Sequence, residues 1–81
     1  MATAKRLLSY VKAVRGTRGL AHTIAVNELR KELKIIDPVN FKVAVNEMDS
    51  EDIRILWEAG LDAQRQEIVL NRLNRLMKGE S

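Results

Sequence analysis

Residues 23–55 read TIAVNELRKELKIIDPVNFKVAVNEMDSEDIRI, and the order of elements in this stretch decides the expected fold. Residues 23–26 alternate polar or small side chains with Ile24 and Val26, which fits a short strand with those two on one face. Asn27 then suits the N-cap of a helix over 28–34, in which Leu29 and Leu33 lie four apart. Arg30, Lys31 and Lys34 decorate its outer side. After a turn at Lys34, Ile35 and Ile36, Asp37 and Pro38 form a strong helix start. The carboxylate accepts from otherwise unbonded amides, and proline suits the first helical position. A helix over 38–49 turns Phe41, Ala44 or Val45, and Met48 inward. Asn40, Lys42, Val43, Asn46 and Glu47 are left outward. The acids Glu47, Asp49, Glu51 and Asp52 end that helix in solvent. Residues 53–58 read as a returning strand, with Ile53, Ile55 and Trp57 on one face and Arg54, Leu56 and Glu58 on the other. The expected fold class is therefore mainly α with a small β-sheet, in which 53–58 pairs with 23–26.

Upstream, a helix is expected over about 4–15. Thr3 caps it, and Gly16 is the permissive residue after its last turn. Leu7, Val11 and Val14 share a stripe flanked by Leu8 and Tyr10, with Lys5, Lys12 and Arg15 elsewhere. Gly16, Thr17, Arg18 and Gly19 compose a loop. Downstream, Gly60 breaks the chain and Asp62 offers another cap. Residues 63–78 lack internal glycine or proline, and Val69, Leu73 and Leu76 recur at helical spacing, widened by Leu70 and Met77. The competing reading makes 67–71 a second strand after a wing over 59–66.

The whole of residues 1–81 is long enough for one small domain with a single core. No cysteine is present, so disulfides, a thiol nucleophile and a thiolate metal site are excluded. His22 is the only histidine and has no second ligand at metal-binding spacing, so it is expected in a loop or at the surface. No nucleophile–base pair or phosphate-cradling glycine loop occurs, so no enzyme activity and no cofactor are expected. No apolar run approaches the ~18 residues of a membrane span. Lys5, Arg6, Lys12 and Arg15 interrupt the N-terminal apolar residues, unlike an export signal, which points to a cytoplasmic setting. The net charge of +3 is unevenly placed: residues 1–42 hold nine Lys/Arg against three acids, and 43–81 hold five against eight. That polarity suits a domain with one face toward a polyanion, although solvated helix faces also differ by chance.

With Ile24, Val26, Leu29, Leu33, Asp37, Phe41, Val45, Met48, Ile53 and Ile55 at these positions, the chain resembles the winged helix-turn-helix superfamily over about 40% of its length. The terminal helix would be an addition to that fold. The resemblance implies that 38–49 is a recognition helix in the major groove of double-stranded DNA. Asn40, Lys42 and Asn46 would then be the base contacts, because amides and ammonium groups match base edges there. Lys12, Arg15, Arg18, Arg30, Lys31 and Lys34 would neutralise phosphates.

Two functions from different classes follow. One is a small DNA-binding protein, a transcriptional or replication accessory regulator acting as a homodimer, with Val69, Leu73 and Leu76 as the seam between copies. The other is a protein-docking or assembly module that does not read DNA. It would use Leu56 or Trp57, the 69–76 stripe, and the acids Glu47, Asp49 and Glu51.

Overall fold

A computed structural model describes residues 3–79 and contains five helices with no strand among them. Helix α1 is Ala4–Arg15, α2 is Gly19–Ile35, α3 is Pro38–Asn46, α4 is Ser50–Ala59 and α5 is Ala63–Met77. The small β-sheet and its wing are therefore absent from the described residues, and the winged helix-turn-helix expectation is corrected to an all-helical fold.

Both expected strands lie inside helices. Residues 23–26 belong to α2, which begins at Gly19 and not at residue 28. Its buried residues Ala25, Leu29, Glu32 and Leu33 follow the helical period, and Ile24 points outward at 54% exposure. Asn27 is an exposed mid-helix residue and caps nothing. Residues 53–58 belong to α4, whose buried side chains Asp52, Ile53, Leu56 and Ala59 again repeat at three and four. Asp49 starts this helix by accepting from the Asp52 amide at 3.0 Å. Glu51 and Asp52 add negative charge to its first turn, where the helix dipole favours it. The acidic run is thus a helix start, and α3 stops at Asn46 before it.

The other boundaries agree with the sequence expectations. Thr3 accepts from the Arg6 amide at 3.2 Å, Asp37 from that of Asn40 at 2.8 Å, and Asp62 from that of Arg65 at 2.9 Å. Gly60 leaves α4 with φ +105°, a conformation that side-chain-bearing residues rarely adopt. Residues 67–71 lie within α5, which removes the second-strand alternative.

Helix α1 is central. It packs against α2, α3 and α4, while α5 closes over α3 and α4. Leu7 and Val11 of α1 meet Leu29, Phe41, Val45, Leu56 and Val69 in one core, all with essentially no exposure. Three arginines then tie the helix ends together by donating to free carbonyls. Arg30 reaches Ala59 O at 3.0 Å, Arg65 reaches Ile36 O at 2.9 Å, and the buried Arg72 reaches Met48 O at 3.2 and 3.3 Å. Ala59 O and Ile36 O are acceptors left open at the ends of α4 and α2, and Met48 O belongs to the link between α3 and α4.

Candidate nucleic-acid interface

The expected base contacts part company in the structure. Asn40 is half-buried and engaged within the protein: its Nδ2 donates to Asp37 at 2.7 Å, and its Oδ1 accepts from the Ala4 amide at 3.4 Å. It joins the first turn of α3 to that of α1. Lys42 and Asn46 instead line a groove between α3 and α5, completed by Pro38, Val39, Ile68, Asn71 and Arg75, with a volume of about 300 Å³. Arg75 Nη2 donates to Asn46 Oδ1, so the amide orients the guanidinium at the groove wall. Two cations and two amides over an apolar floor, with no acid in the lining, form a setting that favours an anion.

The expected phosphate contacts divide in the same way. Arg15 is held by Asp49 and Asp52 at 3.1 and 3.0 Å, and both carboxylates favour its charged form. Arg30 donates to Ala59 O, and Lys31 lies 3.6 Å from Glu28. Lys12, Arg18 and Lys34 are exposed and carry no ion pair among the described residues. Lys5, Lys42 and Lys78 join them in that respect. Lys5 and Lys12 sit seven residues apart on the outer side of α1, roughly 10 Å along its axis.

The acids are mostly committed. Glu28, Glu32, Asp49, Glu51, Asp52, Glu58 and Asp62 all lie in ion pairs, and Asp37 is the α3 cap. The Asp49 carboxyl is held below its ordinary range by the Asp52 amide and then by Arg15. Asp37 and Asp62 are lowered chiefly by the amides they cap.

Arg75 was not among the sequence candidates. Its signal was its place one turn beyond Asn71 on the same side of a helix, which becomes meaningful only once α5 lies beside α3. The expected seam residues on α5 are drawn inward: Val69 is fully buried, and Leu73 and Leu76 are half-buried. His22 is exposed, its Nδ1 3.2 Å from Val14 O, and no group of potential metal ligands gathers among the described residues. No helix of the described residues is long and apolar enough to cross a membrane. The chain matches no family model, no curated protein and no solved structure.

Proposed function

We propose that this is a small helical DNA-binding protein that holds a duplex by its phosphates, with the α3–α5 groove at the centre of the contact. One observation carries the reading: after internal pairing, the cations left over outnumber the acids left over. Among the described residues Lys5, Lys12, Arg18, Lys34, Lys42 and Lys78 have no ion pair, against Asp37, Glu47 and Glu67 on the acid side, of which Asp37 is held as the α3 cap. Such a surplus attracts a polyanion whatever its sequence. With Asn40 committed to Asp37 and Ala4, base-reading chemistry reduces to Lys42 and Asn46. Affinity then rests mainly on backbone contacts, which position a protein without specifying a sequence.

The test is fluorescence anisotropy with a random-sequence duplex over a range of salt concentrations. The logarithm of affinity is expected to fall linearly with the logarithm of salt, with a slope of about −0.9 for each phosphate engaged. Lys42→Ala is expected to weaken all duplexes alike and to reduce the slope by about one contact. No binding by the folded protein at low salt overturns the proposal. Of the apolar residues in the protein-docking reading, Leu56 and Val69 are fully buried, while Trp57 is 43% exposed beside Ile53 and Leu73, and Leu70 is 45% exposed.

A further inference from the structure

Arg30 and Lys34 lie four residues apart on α2, so they share one side of the helix a turn from each other. The chain comes back to that side after α4. Gly60, at φ +105°, turns it, and Arg65 of α5 reaches Ile36 O at the end of α2. A cavity of about 400 Å³ lies at this corner, with Arg30, Lys34, Arg65 and Asp62 around Leu33 and Leu61. The one acid is engaged, because Asp62 caps α5 and pairs with Arg65. The backbone answers part of the remaining positive charge. Arg30 Nε donates to Ala59 O at the end of α4, and Arg65 Nη2 to Ile36 O. Those two helix ends carry about −0.5 charge each and the start of α5 about +0.5, so a surplus of about +1.5 remains in the cavity. Its donors are the Lys34 ammonium, which has no ion pair among the described residues, and Arg30, whose one hydrogen bond there uses Nε and leaves both terminal nitrogens over.

From this surplus, set in a recess with apolar walls, we infer that the corner between α2 and the start of α5 binds a small organic phosphate monoester. A monoester carries about −1.5 to −2 charge near neutral pH and presents three terminal oxygens. That matches the surplus and the donor set, whereas a diester carries a single charge. The Arg30 fork, pinned through Nε, faces two phosphate oxygens, and Lys34 meets the third as a point charge. The organic group lies along Leu33 and Leu61, and the cavity has the volume of a small-molecule site. Arg65 and Arg75 are ten residues apart on α5, roughly 15 Å along its axis, so this corner is separate from the α3–α5 groove. The inference stands whether or not that groove holds DNA.

The test is a titration of the isotope-labelled full chain with phenyl phosphate, followed through its amide chemical shifts. Saturable changes are expected at residues 30–34 and 60–62. Phenyl phosphate is expected to bind more tightly than inorganic phosphate, which lacks the apolar contact, and than methyl phenyl phosphate, which lacks the second charge. Lys34→Glu, at an exposed position that leaves the core intact, is expected to weaken phenyl phosphate at least about tenfold, and Lys34→Arg to keep it. Lys42→Glu is expected to weaken a DNA duplex and to leave phenyl phosphate binding unchanged, which separates the two sites. The inference is overturned by the absence of saturable changes, by changes centred on Lys42 and Arg75, or by equal affinity for phenyl phosphate and either comparison ligand. Displacement of phenyl phosphate from residues 60–62 by a short duplex also overturns it, since the corner would then be a backbone contact for DNA.

Discussion

The Arg15 guanidinium donates to the Asp52 carboxylate at 3.0 Å, joining the last turn of α1 to the first turn of α4 across 37 residues of sequence. The same nitrogen lies 3.1 Å from Asp49, the residue that caps α4. One arginine therefore steadies a cap, a first-turn acid and a long-range helix contact. Arg15→Gln is expected to lower the urea midpoint modestly and to leave the slope of the transition unchanged, because Arg15 is about half exposed. Raising the salt concentration should shrink the difference between the two proteins.

The caps also set a pH dependence. Asp37, Asp49 and Asp62 all titrate below their ordinary value of 3.8, chiefly because backbone amides donate to the charged carboxylate. Folding thus favours the proton-free forms. Their contribution is complete above the unfolded value and is lost as pH falls through the lower folded values. Urea melts are expected to give a constant midpoint from neutral pH to about 5 and a declining one below about 4. Replacing all three with asparagine, which can still cap, is expected to flatten that decline. An unchanged decline in the asparagine variant would show that other carboxylates govern acid unfolding.

Gly60 tests the α4–α5 turn. A Cβ added there would meet nothing within 4 Å, yet φ is +105°. Gly60→Ala is therefore penalised by backbone strain alone, by about 1–3 kcal/mol. That corresponds to a fall in Tm of at least about 4 °C for a domain of this size. Gly16→Ala is the contrast, because its backbone lies at φ −96° with ordinary room for a methyl group.

Helix boundaries marked by an aspartate cap were legible from sequence, since the signal is local: Asp37 with Pro38, and Asp62 before a run without breakers. The two false strands have a physical cause. Thr23, Ile24 and Val26 are β-branched or polar in alternation, so a four-residue window fits period two. The longer spacing of Ala25, Leu29, Leu33 and Ile36 is helical, and this is the side that packs on α1 and α4. Asp49 was read as part of an acidic ending, although its place three residues before Asp52 is that of a cap with an acidic first turn. The site was less legible. Lys42 and Asn46 were found from their outward positions on α3, but Arg75 depends on how α5 lies against that helix. That Asn40 serves the protein's own framework depends on an amide 36 residues away.

Asn40 and Lys42 therefore make opposite predictions within one helix turn. Asn40→Ala removes the link to Ala4 and Asp37 and is expected to lower the melting temperature, with duplex affinity unchanged for the folded fraction. Lys42→Ala is expected to weaken the duplex with little effect on melting, because the side chain is exposed and has no ion pair among the described residues. Anisotropy and thermal melts on both variants separate the roles. A change in sequence preference with Asn40→Ala would return it to the reading surface.

Glu32 supplies the last prediction. It is 3% exposed within α2, one oxygen lying 3.4 Å from Arg6 Nε and the other, Oε1, without a hydrogen-bond partner among the described residues. A buried carboxylate of this kind is favourable only relative to the same carboxylate with no cation beside it. Arg6→Met, which keeps much of the apolar stem, leaves the charge uncompensated and is expected to destabilise the fold. Glu32→Met removes both the charge and the unsatisfied oxygen, and is expected to be neutral or stabilising. Glu32→Met should then stabilise the Arg6→Met protein by more than it stabilises the unaltered protein, giving a non-additive cycle in urea melts. If the two effects simply add, Arg6 acts on α1 through its 5.8 Å stacking and 3.1 Å hydrogen bond with Tyr10, and Glu32 is tolerated for reasons unconnected with that cation.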